Sequence, residues 1–230
     1  MRIFMKKMMI SLFLICVPIA SQAVELCEKE LASTYSVSTK NSQHTLSIYF
    51  DQGRVLQVFE EKKLADEWNQ IPDGRLKLTR FFDQEKHAIE YQPGDAIDGG
   101  TLTWDQITMG VPSSVKDSMT LVSRSGSGCD IVEAFQSADG QMKFIWNPEK
   151  KRLIEYQTPS VHWNLREQPL MTSQAAFALR DDYRTIDYAD IGDSEDDPFV
   201  RKMIRMGFVS HGASGFYDEH GHALDGGHNH

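Results

Sequence analysis

The stretch Thr45–Gly53 reads Thr-Leu-Ser-Ile-Tyr-Phe-Asp-Gln-Gly and contains the pattern that dominates the middle of this chain. Apolar and polar side chains alternate in it, with Leu46, Ile48 and Phe50 on one side, which predicts a half-buried β-strand. The Asp-Gln-Gly that ends the stretch is typical of a tight hairpin turn. A strand that ends in such a turn predicts an antiparallel partner directly after it.

The same alternation recurs further along the chain, with Leu76 and Leu78 in one strand and Met142, Phe144 and Trp146 in another. Hairpin-type turns are predicted between the strands, at Asp51–Gly53, Asp83–Lys86, Asp139–Gly140 and Asn147–Lys150. We therefore expect the strands from Thr45 to Tyr156 to form one antiparallel sheet. Trp68 and Trp146 are expected in or near its core, where truncating Trp146 to alanine would cost about 3 to 5 kcal/mol.

Apolar side chains recur at helical spacing in four segments. These are an N-terminal helix with Cys27, Leu31 and Tyr35, an inserted helix with Leu64, Trp68 and Ile71, and two C-terminal helices, one with Ala176, Leu179, Tyr183 and Ile186 and one with Phe199, Met203 and Met206. Asp197 and Pro198 supply an N-cap and a first-turn proline for the last helix. The predicted fold class is α+β, an antiparallel β-meander (a curved sheet or half-barrel) with an N-terminal helix, one inserted helix and two C-terminal helices.

The N-terminus has the order of a secretory signal peptide. Arg2, Lys6 and Lys7 precede the apolar run Met8–Ala20, and Ala23 ends a small-x-small cleavage site. The run is too short to span a bilayer comfortably, so we expect cleavage, export to a bacterial-type periplasm and no integral membrane segment afterwards. The expected organisation is a cleaved signal peptide at 1–23, a single α+β domain at 24–210 and a flexible acidic tail rich in His and Gly at 211–230.

Two of the three cysteines, Cys27 and Cys129, follow the cleavage site, whereas Cys16 lies in the signal. An even count in an oxidising compartment, without a CxxC pattern, predicts a disulfide between them. The alternative is two separate buried thiols.

The formal net charge of -9 argues against nucleic acid as a partner. Lysines and arginines are scattered along the sequence and form no basic run, so adhesion to anionic lipid headgroups is not expected either.

The tail carries the most noticeable group of candidate ligands. The candidate metal ligands are His211, His220, His222, His228 and His230, with Asp218 and Glu219 nearby. Neutral imidazoles suit zinc, copper or nickel, and such binding would weaken as the pH falls through about 6.5. The alternative is a solvated tail without a fixed site, since composition alone sets no geometry.

The acidic stretch around Asp193, Glu195 and Asp197 has the alternate spacing that opens a calcium loop. Pro198 stands where that loop needs glycine, and Ile204 stands where it needs a bidentate glutamate. The calcium hypothesis fails, and the carboxylates are better explained as capping the helix that begins at Pro198.

No catalytic motif is present, and the isolated His44, His87 and His162 are expected to be spectators. The preferred hypothesis is an exported, non-enzymatic protein that binds a small ligand, an envelope partner protein or a divalent metal. The alternative is a hydrolase-type envelope enzyme with a dispersed active site. Meanders covered by helices occur in several envelope proteins that hold lipids or sense lipoproteins, but this analogy of fold does not transfer function.

Overall fold

A computed structural model describes Cys27, residues 31–93, Asp95 and residues 102–209. The predicted signal peptide and the predicted histidine-rich tail lie outside these residues. Twelve strands of the described chain form one sheet. The strands are β1 (Ala32–Thr39), β2 (Gln43–Asp51), β3 (Arg54–Phe59), β4 (Leu64–Gln70), β5 (Leu76–Phe82), β6 (His87–Tyr91), β7 (Thr120–Ser125), β8 (Val132–Gln136), β9 (Lys143–Asn147), β10 (Arg152–Gln157), β11 (Val161–Leu165) and β12 (Arg184–Asp187). Their order in the sheet is β12-β6-β5-β4-β3-β2-β1-β11-β10-β9-β8-β7.

The sheet joins two meanders through one long-range pairing. Strands β1 to β6 pair in sequence, strands β7 to β11 pair in sequence, and β1 pairs with β11. Among the described strands, all neighbours are antiparallel except β12, which runs parallel to β6. The expected antiparallel sheet from Thr45 to Tyr156 is confirmed, and the β-rich α+β class with it.

The four α-helices of the described residues are α1 (Trp104–Met109), α2 (Ser113–Asp117), α3 (Ser173–Ala178) and α4 (Pro198–Arg205). Helices α1 and α2 lie in the connection between the two meanders, a segment for which the sequence predicted no helix. None of the four has the length and apolar character needed to cross a bilayer.

The larger core lies on one face of the sheet, which we call the tryptophan face because it carries Trp68, Trp146 and Trp163. Trp68 is 6% exposed and Trp146 is 8% exposed, so their predicted burial is confirmed. A smaller core on the opposite face packs α3 against the first meander, with Tyr49, Leu56, Val58, Ala65, Phe81, Ala88, Ala176 and Phe177.

Two predicted helices are wrong. The N-terminal helix with Cys27, Leu31 and Tyr35 is replaced by β1, and the inserted helix with Leu64, Trp68 and Ile71 is replaced by β4. Residues four apart share a face in a strand as well as in a helix, so this spacing fits both structures. Pairing with neighbouring strands decides the outcome, because β4 exchanges hydrogen bonds with β3 and β5 along its length.

The C-terminal helices are shorter than expected. Helix α3 ends at Ala178, Leu179 is 56% exposed, and Ile186 belongs to strand β12. The last predicted helix is present as α4, where the Asp197 side chain accepts a hydrogen bond from the Phe199 amide at 2.8 Å.

The predicted disulfide between Cys27 and Cys129 is confirmed, with a Cα–Cα distance of 5.4 Å. Cys129 lies in a short turn before β8, and its carbonyl oxygen accepts a hydrogen bond from the Asn147 side chain at 2.9 Å. The Asn147 side chain also accepts from the Lys150 amide at 2.8 Å. The start of the described chain is thereby tied to the turn between β9 and β10.

Candidate binding cavity

A cavity of about 490 Å³ lies on the tryptophan face, at the end of the sheet where the β2–β3 and β9–β10 turns meet. Its volume falls within the range of about 300 to 1,000 Å³ that is typical of small-ligand pockets. Helix α1 forms one side of the cavity, and Leu31, which is 52% exposed, lies at its edge. The two meanders therefore enclose a space that neither would form alone.

The walls of this cavity are mainly apolar and aromatic. Strands contribute Tyr35, Ile48, Val55, Trp146 and Leu153, and α1 contributes Trp104 and Met109. All four tryptophans of the chain pack on the tryptophan face, and two of them, Trp104 and Trp146, line the cavity. Such walls favour an apolar ligand or the apolar part of a larger one.

The start of β10, which lines the cavity, is not paired with β11. The two strands pair only through Glu155–Gln157, and an irregularity between Leu153 and Glu155 interrupts the pairing with β9. The Leu153 carbonyl oxygen accepts a hydrogen bond from the Tyr35 hydroxyl at 3.1 Å. Burial raises the pKa of Tyr35 well above its ordinary value, so the phenol stays neutral and adds no charge to the cavity.

The two turns bring charged residues to the cavity. Among the described lining residues, four are cationic and one is acidic: Arg54, Lys150, Lys151, Arg152 and Asp51. The Arg54 guanidinium donates to Asp51 at 2.6 Å and to Glu67 at 3.3 Å, so this arginine already has carboxylate partners. The other three cations lie together at Lys150–Arg152, which we call the basic segment.

Helix α1 is held on the sheet by specific contacts. Its carbonyl at Ile107 accepts a hydrogen bond from the Gln57 side chain at 2.8 Å, and the Ile107 side chain is fully buried. Asp105 joins α1 to α2, since hydrogen bonds from the Ser113 and Thr103 side chains and the Ser113 amide hold the pKa of the Asp105 carboxyl well below its usual range. The carboxylate is therefore ionised at neutral pH and keeps these bonds.

Gly110 ends α1 with a φ of 76° and lies directly against Trp163. A Cβ atom at this position would be 2.3 Å from the Trp163 ring. We expect Gly110→Ala to lower the free energy of unfolding by about 2 to 3 kcal/mol, from the left-handed backbone and the ring contact together. Urea denaturation followed by circular dichroism measures this change.

The matched control for that prediction is Gly74→Ala in the β4–β5 turn. Gly74 has a φ of 87°, but a Cβ atom there would meet nothing within 4 Å. Its substitution tests the backbone cost alone, which is about 1 to 2 kcal/mol. Equal losses in the two variants would show that Gly110 does not depend on its contact with Trp163.

A second, more open cavity of about 630 Å³ lies on the opposite face, with polar walls that include Ser36, Ser38, His162 and Asn164. The His162 Nε2 atom lies 3.1 Å from Glu155 Oε1, and Ser38 is the strand partner of His162. In the described part of the chain, no hydrogen bond joins a hydroxyl group to this imidazole.

The other predicted candidates lie apart from both cavities or outside the described residues. His44 lies on β2 opposite Val37 of β1. His87 stacks on Phe199 with ring centroids 4.5 Å apart. The proposed tail ligands, His211, His220, His222, His228 and His230, all lie outside the described residues. Within the described ranges, no group of three or more His, Cys, Asp or Glu side chains is placed to hold a metal ion.

Helix α1 and the position of the basic segment at the cavity were not predicted from the sequence. A capping box was present as a signal for α1, because Thr103 and Gln106 have the required spacing and both reciprocal hydrogen bonds form. Lys150 was recognised only as a turn residue. Lys150 reaches the cavity only because β1 pairs with β11 and so brings the two meanders together. These two strands are far apart in sequence.

No protein-family model and no curated protein matches this chain. Among solved structures, the chain is similar to PNGF-II in its C2 crystal form, with a TM-score of 0.37 and 9% sequence identity. The similarity covers 76% of this chain and 32% of the PNGF-II chain. A likeness at this level assigns neither a family nor a function.

Proposed function

We propose that this chain is an exported envelope protein that binds an apolar or amphipathic small molecule without transforming it. The observation that carries the proposal is the cavity between the two meanders, with Trp104 and Trp146 among its walls. The signal-like N-terminus and the disulfide support export to an oxidising compartment such as the periplasm.

Binding without catalysis is supported by the chemistry of the cavity walls. Tyr35 is the titratable group most deeply buried there, and its hydroxyl hydrogen-bonds to a main-chain carbonyl. Its raised pKa makes it a poor general base at neutral pH. The hydrolase alternative and the tail metal site, with zinc, copper or nickel, stay predictions from the sequence.

The proposal is tested with N-phenyl-1-naphthylamine, an uncharged apolar fluorophore, titrated into the mature protein. We expect saturable binding with a rise in probe fluorescence, because the walls exclude water from the dye. Trp104→Ala removes an aromatic wall without emptying the central core, and we expect it to weaken binding about tenfold, which is about 1.4 kcal/mol.

Leu179→Ala is the control for this titration, because Leu179 is a large exposed apolar residue that does not line the cavity. It should leave the dissociation constant unchanged. Absence of saturable binding to the mature protein, or equal weakening in both variants, would contradict the proposed function.

A further inference from the structure

We infer that the Cys27–Cys129 disulfide controls the affinity of this cavity, so that the oxidised protein holds its ligand tightly and reduction by a dithiol weakens the binding. The inference rests on the proposed function and adds a regulation of the same site. It is carried by the place of the disulfide, which joins the two cavity walls at the end of the sheet where strand pairing between them stops.

Strand pairing between the two meanders ends before it reaches the cavity. In the described strands, the register of β1 and β11 begins at Tyr35, and β11 pairs with β10 only through Glu155–Gln157. Leu31 and Leu153, which line the cavity on its two sides, lie outside these pairs. The ladder of hydrogen bonds that fixes neighbouring strands elsewhere in the sheet does not cross this space. The spacing of the two walls therefore depends on other links.

On the first meander, Cys27 leads directly into the cavity wall. Leu31 lies at the cavity edge four positions after Cys27, so their Cα atoms are at most about 14 Å apart. The Leu31 carbonyl oxygen accepts a hydrogen bond from the Phe50 amide at 2.8 Å, and Phe50 also lines the cavity. The disulfide therefore holds the chain at the start of this wall.

On the second meander, Cys129 is linked to the turn that carries the basic segment. Its carbonyl oxygen accepts a hydrogen bond from the Asn147 side chain at 2.9 Å, and that side chain accepts one from the Lys150 amide at 2.8 Å. Asn147 is 3% exposed, so these two bonds are shielded from water. The carboxylate of Asp130 adds a contact with Lys150 Nζ at 3.2 Å. The Cys129 turn is thus joined to the wall formed by the basic segment.

The turn that carries Cys129 has little freedom of its own. The Asp130 amide donates a hydrogen bond to the Ser127 carbonyl oxygen at 3.1 Å. Gly126 has a φ of 81°, and a Cβ atom there would clash with the Asp130 carbonyl oxygen, so the chain closes tightly on itself. A displacement of Cys129 therefore moves the carbonyl group that Asn147 binds.

A reductant can reach this disulfide. Both cysteines are half-buried, and the residues on either side of Cys129 are exposed. The thiolate of a dithiol attacks one sulfur, forms a mixed disulfide and displaces the other sulfur as a thiolate. The second thiol of the reductant then releases the protein and closes the reductant into its own disulfide, so two electrons and two protons pass to the cysteine pair.

Reduction removes the covalent link between the walls and leaves the sheet around them paired. The walls of the reduced cavity are then free to move apart, and a ligand must order them when it binds. The ordering costs conformational entropy that the oxidised protein has already lost. We therefore expect weaker binding after reduction, although no residue that touches the ligand has changed.

The test compares the affinity of the mature protein for N-phenyl-1-naphthylamine before and after reduction with dithiothreitol. We expect the dissociation constant to rise about tenfold on reduction and to return after reoxidation with oxidised glutathione. Circular dichroism in the far and near ultraviolet checks that the reduced chain stays folded. By linkage, saturating dye should lower the reduction potential of the disulfide by about 30 mV, which corresponds to the same tenfold change.

Two variants test the route from the disulfide to the cavity. Asn147→Ala removes the bridge between Cys129 and Lys150 while the disulfide stays, so we expect weaker dye binding by the oxidised variant and a smaller further effect of reduction. Asp139→Ala is the matched control, because the Asp139 side chain accepts a hydrogen bond from the Gln141 amide at 3.0 Å in the β8–β9 turn, away from the cavity. It should bind the dye as the wild type does in both redox states.

Arg180→Ala is the control for a general loss of stability. Arg180 is 4% exposed, pairs with Asp83 and does not line the cavity. The oxidised variant should be less stable than the wild type and bind the dye with an unchanged dissociation constant.

The outcomes separate this regulation from the proposed function. Equal affinity of the oxidised and reduced proteins would overturn the regulation while the binding function stands, and this comparison decides alone if Asn147→Ala does not fold. Unfolding of the reduced chain, or an equal weakening in Arg180→Ala, would also overturn it, because the loss would belong to the fold as a whole. Absence of saturable dye binding to the oxidised protein would contradict the proposed function itself.

Discussion

Replacing Cys27 and Cys129 together with alanine is expected to lower the free energy of unfolding by about 4 to 5 kcal/mol. The two residues are 102 positions apart, so the disulfide closes a loop that spans β1 to β7. In the chain-entropy model a loop of about 100 residues restricts the unfolded chain strongly. A loss of this size is a large part of the roughly 5 to 15 kcal/mol that stabilises an ordinary domain.

Urea unfolding of the mature protein measures this effect, with the wild type in reductant as the companion sample. The reduced wild type and the double alanine variant should have similar midpoints, both well below that of the oxidised protein. A difference of less than about 1 kcal/mol between oxidised and reduced protein would show that the disulfide contributes little to stability.

The middle strands could be predicted because they depend on a pattern among neighbouring residues. The disulfide could be predicted because only one pair of cysteines was available. Alternation around Leu46, Ile48 and Phe50 has a period of two, and the hairpin residues after them leave little choice of partner. Cys27 and Cys129 were the two cysteines that remained after the signal. Neither inference required knowledge of which distant strands meet.

The two wrong helix predictions have a physical reason, because the spacing of apolar residues there does not distinguish a helix from a strand. Leu64 and Trp68 are four residues apart, which places them on one face of a strand as it does on one face of a helix. The cavity could not be predicted from the sequence, for a different reason. It is lined by both meanders, which meet through the pairing of β1 with β11, and that pairing forms only in the assembled sheet.

At Arg180 the expectation that apolar residues are buried and charged residues are exposed does not hold. The predicted helix face placed Leu179 inside, but Leu179 is exposed and Arg180 is 4% exposed. The Arg180 guanidinium donates to both carboxylate oxygens of Asp83, at 3.0 and 2.6 Å, and to the Ala176 carbonyl oxygen at 2.9 Å. A buried arginine is tolerated here because its donors have acceptors, and the pair attaches α3 to the β5–β6 turn.

Arg180→Ala is therefore expected to lower the free energy of unfolding by about 3 to 5 kcal/mol, because it leaves the Asp83 carboxylate partly buried without its cation. Urea denaturation measures the loss. Arg75→Ala is the matched control, since Arg75 pairs with Asp73 at 2.7 Å on an exposed turn and its removal should change stability little.

Arg180→Met combined with Asp83→Asn removes both charges and tests the reason for the loss. If the uncompensated carboxylate is responsible, the double variant should be more stable than Arg180→Met alone, with a coupling energy of about 1 to 3 kcal/mol. If lost packing of the arginine side chain is responsible, the second substitution should bring no recovery, and the loss would then be the same with or without the Asp83 charge. Recovery in the double variant is expected, because Asp83 also accepts from the Tyr183 hydroxyl at 3.3 Å, a contact that an asparagine oxygen can keep.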